Sequence, residues 1–599
     1  MFIKVTVSGG RRYAQLVESF RNEAGSPRQR TLASLGRLEP GGDVDRLIYA
    51  LNRAQGHEAS PQGTRSASIS DLRFLDSRSA GDVWALWQLW LSLGLEGLSL
   101  AWSRSKSELD ILGCLRAMVF NRLCNPASKL GVLRWLDTVA LPRGFGFDAG
   151  LPEHQHLLRA MDVIDDHADA IGERLAFLMR PLIDQELSVV FYDLTTVRVH
   201  GEAVVDGDVR EFGLSKEGGV ARQFVLSLVQ TADGLPIAHQ VHPGNTAEAK
   251  TLLPMIRSLL ARWSLKRVVL VADRGLLSLN NLSELAALQA ELNAAASPGQ
   301  AAVRLEYVLA VPAARYGEFK AELQALDAAQ DATQQWVAEM AWHTTDKPTT
   351  KGDPEVPREH RLVVAHDPTA AQRRTQARRD QIAELIALGQ QWGGRLDEQD
   401  AGQRQRGRPL SDSGAKARLY HAVKDASLAH LIKVDLHSEM FNFTIDEQRQ
   451  QYLERLDGKL VLVTNTDAPA AEVVKRYKSL ADIERGFRAL KSEIEIGPVY
   501  HRLPKRIRAH ALVCFLALIL HRVLRMRLKA SQREESPATL LAQLRRIHHQ
   551  TVQTPDGLVL RGLTELGAPQ KEMFTAVGLP MPTPAEVLAP AGGSPTARV

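Results

Sequence analysis

The sequence predicts an α/β protein whose mixed-sheet core is interrupted by a β-rich insertion subdomain and preceded by a small β-meander and a helical region. Three observations carry this. The runs Leu187–Asp193 and Arg267–Asp273 are short, apolar and rich in β-branched residues with no helical period, which reads as two buried strands. Between them lie hairpin-like strands at about 209–214, 222–230 and 237–241 around the turn Asp233-Gly234. A helix over Ala247–Ala261 follows, with Thr246 placed to cap it. This is the order that a mixed sheet with outer crossover helices requires. Finally, Leu460–Thr464 returns to strand character just before a helix over Ala470–Glu493.

The remaining elements fall into place around this core. Residues 1–56 alternate apolar with polar or basic positions around Gly9-Gly10 and Gly25-Ser-Pro27, a three-stranded meander. Its surplus of Lys and Arg suits DNA contact and equally a charge-studded edge that blocks aggregation. After a Pro/Ser/Gly linker over 59–68, residues 70–185 read as helical, with Trp84, Trp87 and Trp90 as core. The core takes 186–311 and 458–530, the insertion 312–457, and a helical region with a Pro/Ala/Gly tail 531–599. Within the insertion, Arg373, Arg374, Arg378, Arg379, Arg404, Arg406 and Arg408 suit either a DNA clamp or a solvated basic face.

Three carboxylates point to chemistry. Asp193 and Asp273 each end a predicted strand, and Arg274-Gly275 turns the chain away after the second. On the 470–493 helix, Tyr477, Glu484 and Lys491 are seven apart and form one line, drifting about 20° per step. Leu480, Ile483, Phe487, Leu490 and Ile494 form the adjoining apolar stripe, so burying it leaves the polar line at the rim of a cleft. Taken singly, a strand-end Asp is most often a turn or cap residue, and a helical Glu a solvated one. As a set they fit a metal-dependent nuclease of the ribonuclease H type, in which two Mg²⁺ ions about 3.5–4 Å apart serve an in-line displacement at phosphorus.

The motifs Tyr192-Asp-Leu-Thr-Thr196, Ala272-Asp-Arg-Gly275 and Tyr477/Glu484/Lys491 resemble those of DDE transposases of bacterial insertion sequences. More narrowly, the chain is similar to the insertion-sequence-four group and its sixteen-thirty-four-like branch. Further matching stretches are Phe2–Arg37, Asn121–Lys129, Gly213–Lys216, Pro243–Thr246 and Arg506–His510. The chain departs from the pattern at Leu480, where the family has Arg; Arg488, about 40° from the Glu484 line, is the substitute the helix offers.

The resemblance implies an RNase H-like core in which Asp193, Asp273 and Glu484 are both catalytic residues and ligands for two Mg²⁺ ions, with Mn²⁺ as a substitute. Tyr477 and Lys491 are the implied DNA contacts at motif positions, with Arg488, Arg274 and Arg508 as further candidates; Lys216 and Arg222 suit either contact with DNA phosphate or plain exposed hairpin charge. The implied partners are terminal inverted repeats and target DNA, engaged by a homodimer. An RNase H-like nuclease or junction resolvase, and an inactive DNA-binding relic, are the competing classes; inverted repeats flanking the gene would separate them from a transposase.

Composition agrees with this class. The chain has 599 residues, 44% of them hydrophobic, enough for several domains with sizeable cores. Lys plus Arg exceed Asp plus Glu by 74 − 69 = 5, so affinity for nucleic acid must come from local patches. Cys114, Cys124 and Cys514 form no disulfide framework or metal spacing, and the start carries no secretion pattern, so a cytoplasmic, nucleoid-associated setting is expected. The run Ala511–Leu520 is too short to span a membrane and reads as a core helix.

Overall fold

The computed structural model describes residues 2–588 except 9–10, 22–26, 39–71, 105–107, 149, 184–187, 202–204, 216–217, 248–249, 264, 266, 273–278, 295–301, 347–355 and 403–408; for 2–3, 8, 11, 37, 188–189, 279–281, 344–346, 356–358, 481–485 and 588 it describes the backbone alone. The chain forms two compact units, Met1–Asp76 with Thr551–Arg561, and Ser77–Gln550 with Gly562–Val599. The first contains an antiparallel meander of β1 (Phe2–Ser8), β2 (Arg11–Arg21) and β3 (Pro27–Arg37) in that order.

The second unit is built on a nine-stranded mixed sheet. Its strands are β4 (Ser188–Arg198), β5 (Glu211–Leu214), β6 (Val220–Thr231), β7 (Pro236–Pro243), β8 (Arg267–Ala272), β9 (Arg304–Ala310), β10 (Trp336–Asp346), β11 (Val356–His366) and β12 (Lys459–Thr464). The spatial order is β10-β11-β12-β9-β8-β4-β6-β5, with β7 also on β6. Strands β4, β8 and β9 run parallel, while β4, β6 and β7 form an antiparallel meander. A large mixed sheet of this kind is consistent with an RNase H-like core.

The helices in chain order are α1 (Gly81–Ser92), α2 (Ile111–Cys124), α3 (Lys129–Leu136), α4 (His154–Asp166), α5 (Ala168–Met179), α6 (Leu252–Arg262), α7 (Leu279–Ala294), α8 (Lys320–Ala329), α9 (Pro368–Asp400), α10 (Asp412–Asp425), α11 (Glu447–Leu456), α12 (Ala470–Lys478), α13 (Ala481–Ser492), α14 (Pro504–Ala530), α15 (Pro537–Leu544) and α16 (Ala568–Ala576). Trp84, Trp87 and Trp90 on α1 are buried in the main core. Helix α14 contains the apolar run 511–520; it is long and apolar enough to cross a membrane, and 94% of its most apolar 18 residues are buried inside the fold. It packs on α2, α4 and β7, so one helix joins the helical region to the sheet.

Period-two alternation divides the sheet into two faces. Tyr192, Leu270, Leu309 and Val463 enter the main core, whereas Phe191, Val271, Val308 and Leu462 form a second cluster roofed by Val473 and Val474 of α12 and by Leu480. Asp193, two residues beyond Phe191, is on the roofed face.

Several expectations are corrected. Asp193 does not end its strand: the β-branched run Thr195-Thr196-Val197 carries β4 on to Arg198, paired with β6. Helix α6 begins at Leu252, not 247, so Thr246 does not cap it; Pro254 is tolerated in a first turn but not in a helix interior. The predicted 470–493 helix is two helices, α12 and α13, parted at Ser479-Leu480. The expected β-rich insertion is not one. Strands β10 and β11 belong to the main sheet, and the rest of 312–457 is mostly helical, with one small two-stranded pairing of Ile432–Val434 with Phe443–Ile445. The region after 530, expected to be helical, also contains strands His548–Gln553 and Val559–Leu563.

The segment 368–457 has its own apolar cluster, which includes Ile382, Leu419, Leu431 and the partly buried Phe443. Its ends meet: Asp367 N–H donates to the Gly458 carbonyl at 3.0 Å, and His366 is in register with Lys459. Deleting 368–457 and joining Asp367 to Gly458 therefore leaves a two-residue Asp-Gly connection between antiparallel strands, a favoured hairpin loop. The shortened protein is expected to unfold cooperatively, with a Tm within about 5 °C of the parent. A non-cooperative or insoluble product would show that the segment belongs to the core.

Candidate active site

Asp193 is the fixed point from which the site is built. It sits mid-strand on β4, half-buried, with the Leu194 N–H donating to its Oδ1 at 2.7 Å. Next to it, Tyr192 turns to the other face and its hydroxyl donates to Thr251 Oγ1 at 2.6 Å, tying the strand to the start of α6. Parallel strand β8 ends with Ala272 directly opposite Tyr192. Asp273 follows Ala272 in sequence; it and Arg274 lie outside the described residues, as does Lys216.

Helix α13 crosses the face that Asp193 occupies. Gly486 allows the approach: a Cβ there would lie 2.7 Å from Gln230 Nε2 and 3.1 Å from Arg522 Nη2. Gln230 pairs with Phe191, and the next same-face pair along the strands is Asp193 with Leu228. The α13 backbone two residues beyond Glu484 thus lies one register step from Asp193. The Glu484 side chain itself is not among those described.

Lys491 lies on the last turn of α13 and lines a cavity of about 490 Å³ with Thr196, Arg198, His200 and Pro498. Arg198 and His200 were not singled out from sequence, although a basic residue near the end of the Asp193 strand was the available signal. Tyr477, now on α12, packs its ring beside the second cluster and does not share one helix with Glu484 and Lys491 as expected.

Other expected contacts separate by what they touch. Arg488 is exposed on α13. Arg508 is gripped by Asp165 through two hydrogen bonds of 2.8 and 2.9 Å, beside the parallel pairs Arg506–Asp162 and Lys505–Asp166; these three pairs clamp α14 to α4. Arg222 is held by Asp208 and the Arg210 carbonyl. Burial would raise the Asp208 carboxyl, but hydrogen bonds from Arg210 hold it below the ordinary carboxylate range. In the insertion, Arg378 and Arg379 pair with Asp457 and Glu454, and Arg374 also reaches Asp457 at 3.9 Å; Arg373, Arg374 and Arg379 are exposed, and Arg404, Arg406 and Arg408 lie outside the described residues.

Among the described residues no three His, Cys, Asp or Glu side chains gather around a point that could hold a metal ion. Two of the three expected ligands, Asp273 and Glu484, are not among the side chains described. What is present fits a hard cation: Asp193 offers carboxylate oxygen on a half-buried face, and carboxylate oxygen is the donor Mg²⁺ takes.

Comparison with known families gives two matches. A model described as the transposase DDE domain covers residues 184–520, more than half of the chain. A second, described as the N-terminal domain of IS1634 family transposases, covers residues 3–62. No match is found among curated proteins.

Proposed function

Because the chain belongs to the IS1634 family of transposases with a DDE domain, we propose that it binds the terminal inverted repeats of its element and carries out strand cleavage and strand transfer with Asp193, Asp273 and Glu484 as its carboxylate set. The observation that supports this reading is the approach of the Glu484 helix to the sheet face that Asp193 occupies. Asp193 lies on β4, the neighbouring parallel strand ends one residue before Asp273, and the helix of Glu484 crosses over the Phe191–Gln230 pair.

In cleavage, water attacks the phosphodiester at the element boundary, the P–O bond to the 3′ oxygen breaks, and the proton balance leaves a free 3′-OH and a 5′-phosphate. In transfer, that 3′-OH attacks a target phosphodiester and displaces a target 3′ oxygen. The three carboxylates would hold two Mg²⁺ ions, which when bound activate the attacking oxygen and neutralise the leaving one. Lys491, with Arg198 beside it, supplies positive charge to the DNA backbone next to the cut, and exposed Arg488 extends that charge along α13. Arg508 is assigned to the fold through Asp165 rather than to DNA. Two copies, one per element end, would form the working complex.

The test is direct. The purified chain, given Mg²⁺ and duplex DNA carrying the sequences that flank its coding region, is expected to nick the 3′ ends at the inverted repeats and to join them to a second duplex. DNA bound but never cut under these conditions would favour an inactive relic, and cutting without joining a nuclease.

A further inference from the structure

Two stretches that resemble the family, Asn121–Lys129 and Arg506–His510, have no part in the mechanism above, yet the fold brings them together. They line a cavity of about 700 Å³ between the start of α3 and the segment 495–503 that follows α13. Lys129 is buried at 5% exposure, and among the described residues its hydrogen-bond partner is His510 Nδ1 at 3.3 Å. The other ring nitrogen of His510 donates to the Ile496 carbonyl at 3.0 Å, so Nδ1 is the acceptor and the ring is neutral. No carboxylate pairs with this ammonium among the described residues, and burial with the nearby Arg122 charge pushes it down to about 7.

Arg122, also 5% exposed, spends Nη1 on the carbonyls of Ile494 and Glu495 while its buried Nε has no hydrogen-bond partner among the described residues. Arg502 stands exposed at the rim. Of the lining residues Glu495 alone is acidic. Two buried cations and the N-terminal end of a helix, gathered without matching anions, form a site short of negative charge.

We propose that this cavity is a phosphate seat, in which Lys129 and Arg122 receive a backbone phosphate of bound DNA away from the carboxylates. The inference rests on the transposase reading. DNA is favoured over a small free anion by continuity: Ile496, Gly497 and Pro498 wall both this cavity and the one that holds Lys491. Between the two, the exposed ring of Tyr500 stacks on His200, with centroids 4.8 Å apart and planes at 8°. A polyanion lying along this wall reaches both cavities; a single phosphate has no use for the connection.

Lys129→Met in the full chain removes the charge and keeps the length. The expected result is an unchanged or higher Tm, roughly tenfold weaker binding of a random-sequence duplex of about 30 bp at roughly 50 mM salt, and a salt dependence shallower by about one unit of slope. Arg502→Gln at the rim is expected to act in the same direction and serves if the first variant does not fold. A lower Tm with unchanged affinity and slope would make Lys129 a structural residue and overturn the proposal. So would loss of an inorganic-phosphate-induced rise in Tm without any change in DNA binding, which would assign the seat to a free anion. If the unsubstituted protein binds no DNA at any salt, the transposase reading and this site fail together; if it binds and both variants match it, the site alone fails.

Discussion

Asp193→Asn is expected to reduce strand cleavage by at least about 10³-fold while leaving DNA binding and Tm close to those of the parent. The substitution is isosteric, and the amide oxygen can still accept the 2.7 Å hydrogen bond from Leu194 N–H, so the strand has no reason to move. What is lost is the negative charge on the half-buried oxygen, the property that makes the residue a ligand for a hard cation. The basic surfaces that supply affinity are untouched, so gel-shift binding and cleavage should part company. Cleavage at the parental rate in Mg²⁺ would remove Asp193 from the active site.

The second large effect is expected at a residue with no chemistry of its own. Gly486→Leu places its Cβ within 2.7 Å of the fully buried Gln230 amide, with Arg522 closing the other side at 3.1 Å. Relief from glycine in a helix returns about 0.5–1 kcal/mol, whereas forcing extra carbons into packed space costs typically 1–3 kcal/mol. Both neighbours are side-chain ends, but Gln230 is fully buried, so the added carbons are expected to cost more than they return and to lift α13 off the sheet. A lower Tm is expected together with a loss of cleavage that persists when activity is normalised to folded protein. Wild-type cleavage in a folded Gly486→Leu protein would show that the height of α13 above β4 does not matter to the chemistry.

Much of this arrangement could be read from the chain, and the failures have local causes. The two strands beside the site announced themselves because both their faces are buried, giving unbroken apolar runs. The break at Ser479-Leu480 was hidden because no Gly or Pro marks it. Its origin is tertiary: on the Asp193 face Val473, Val474 and Leu480 serve the smaller cluster around Phe191, while Phe487 and Leu490 pack with the main core, which reaches the same face through Leu228. One straight helix cannot supply both.

Strand β10 is hard to foresee although Trp336, Ala338, Met340 and Trp342 alternate, because its partner β11 lies beyond a stretch rich in Thr, Lys, Asp and Pro. The cavity of Lys129 and His510 joins residues 381 apart in sequence, a distance at which no local pattern gives a signal.

The hydrogen bond between Asp367 and Gly458 also bears on how the protein assembles. Bringing β11 to β12 across an unstructured 368–457 segment would mean closing a loop of 457 − 368 + 1 = 90 residues, against two once that segment has folded on its own core. By the logarithmic scaling of closure entropy the difference is about 3 kcal/mol. The order of folding is thereby biased: the module condenses first and hands the sheet a preformed hairpin corner, and the strand that leads to Glu484 docks as though almost no chain lay between.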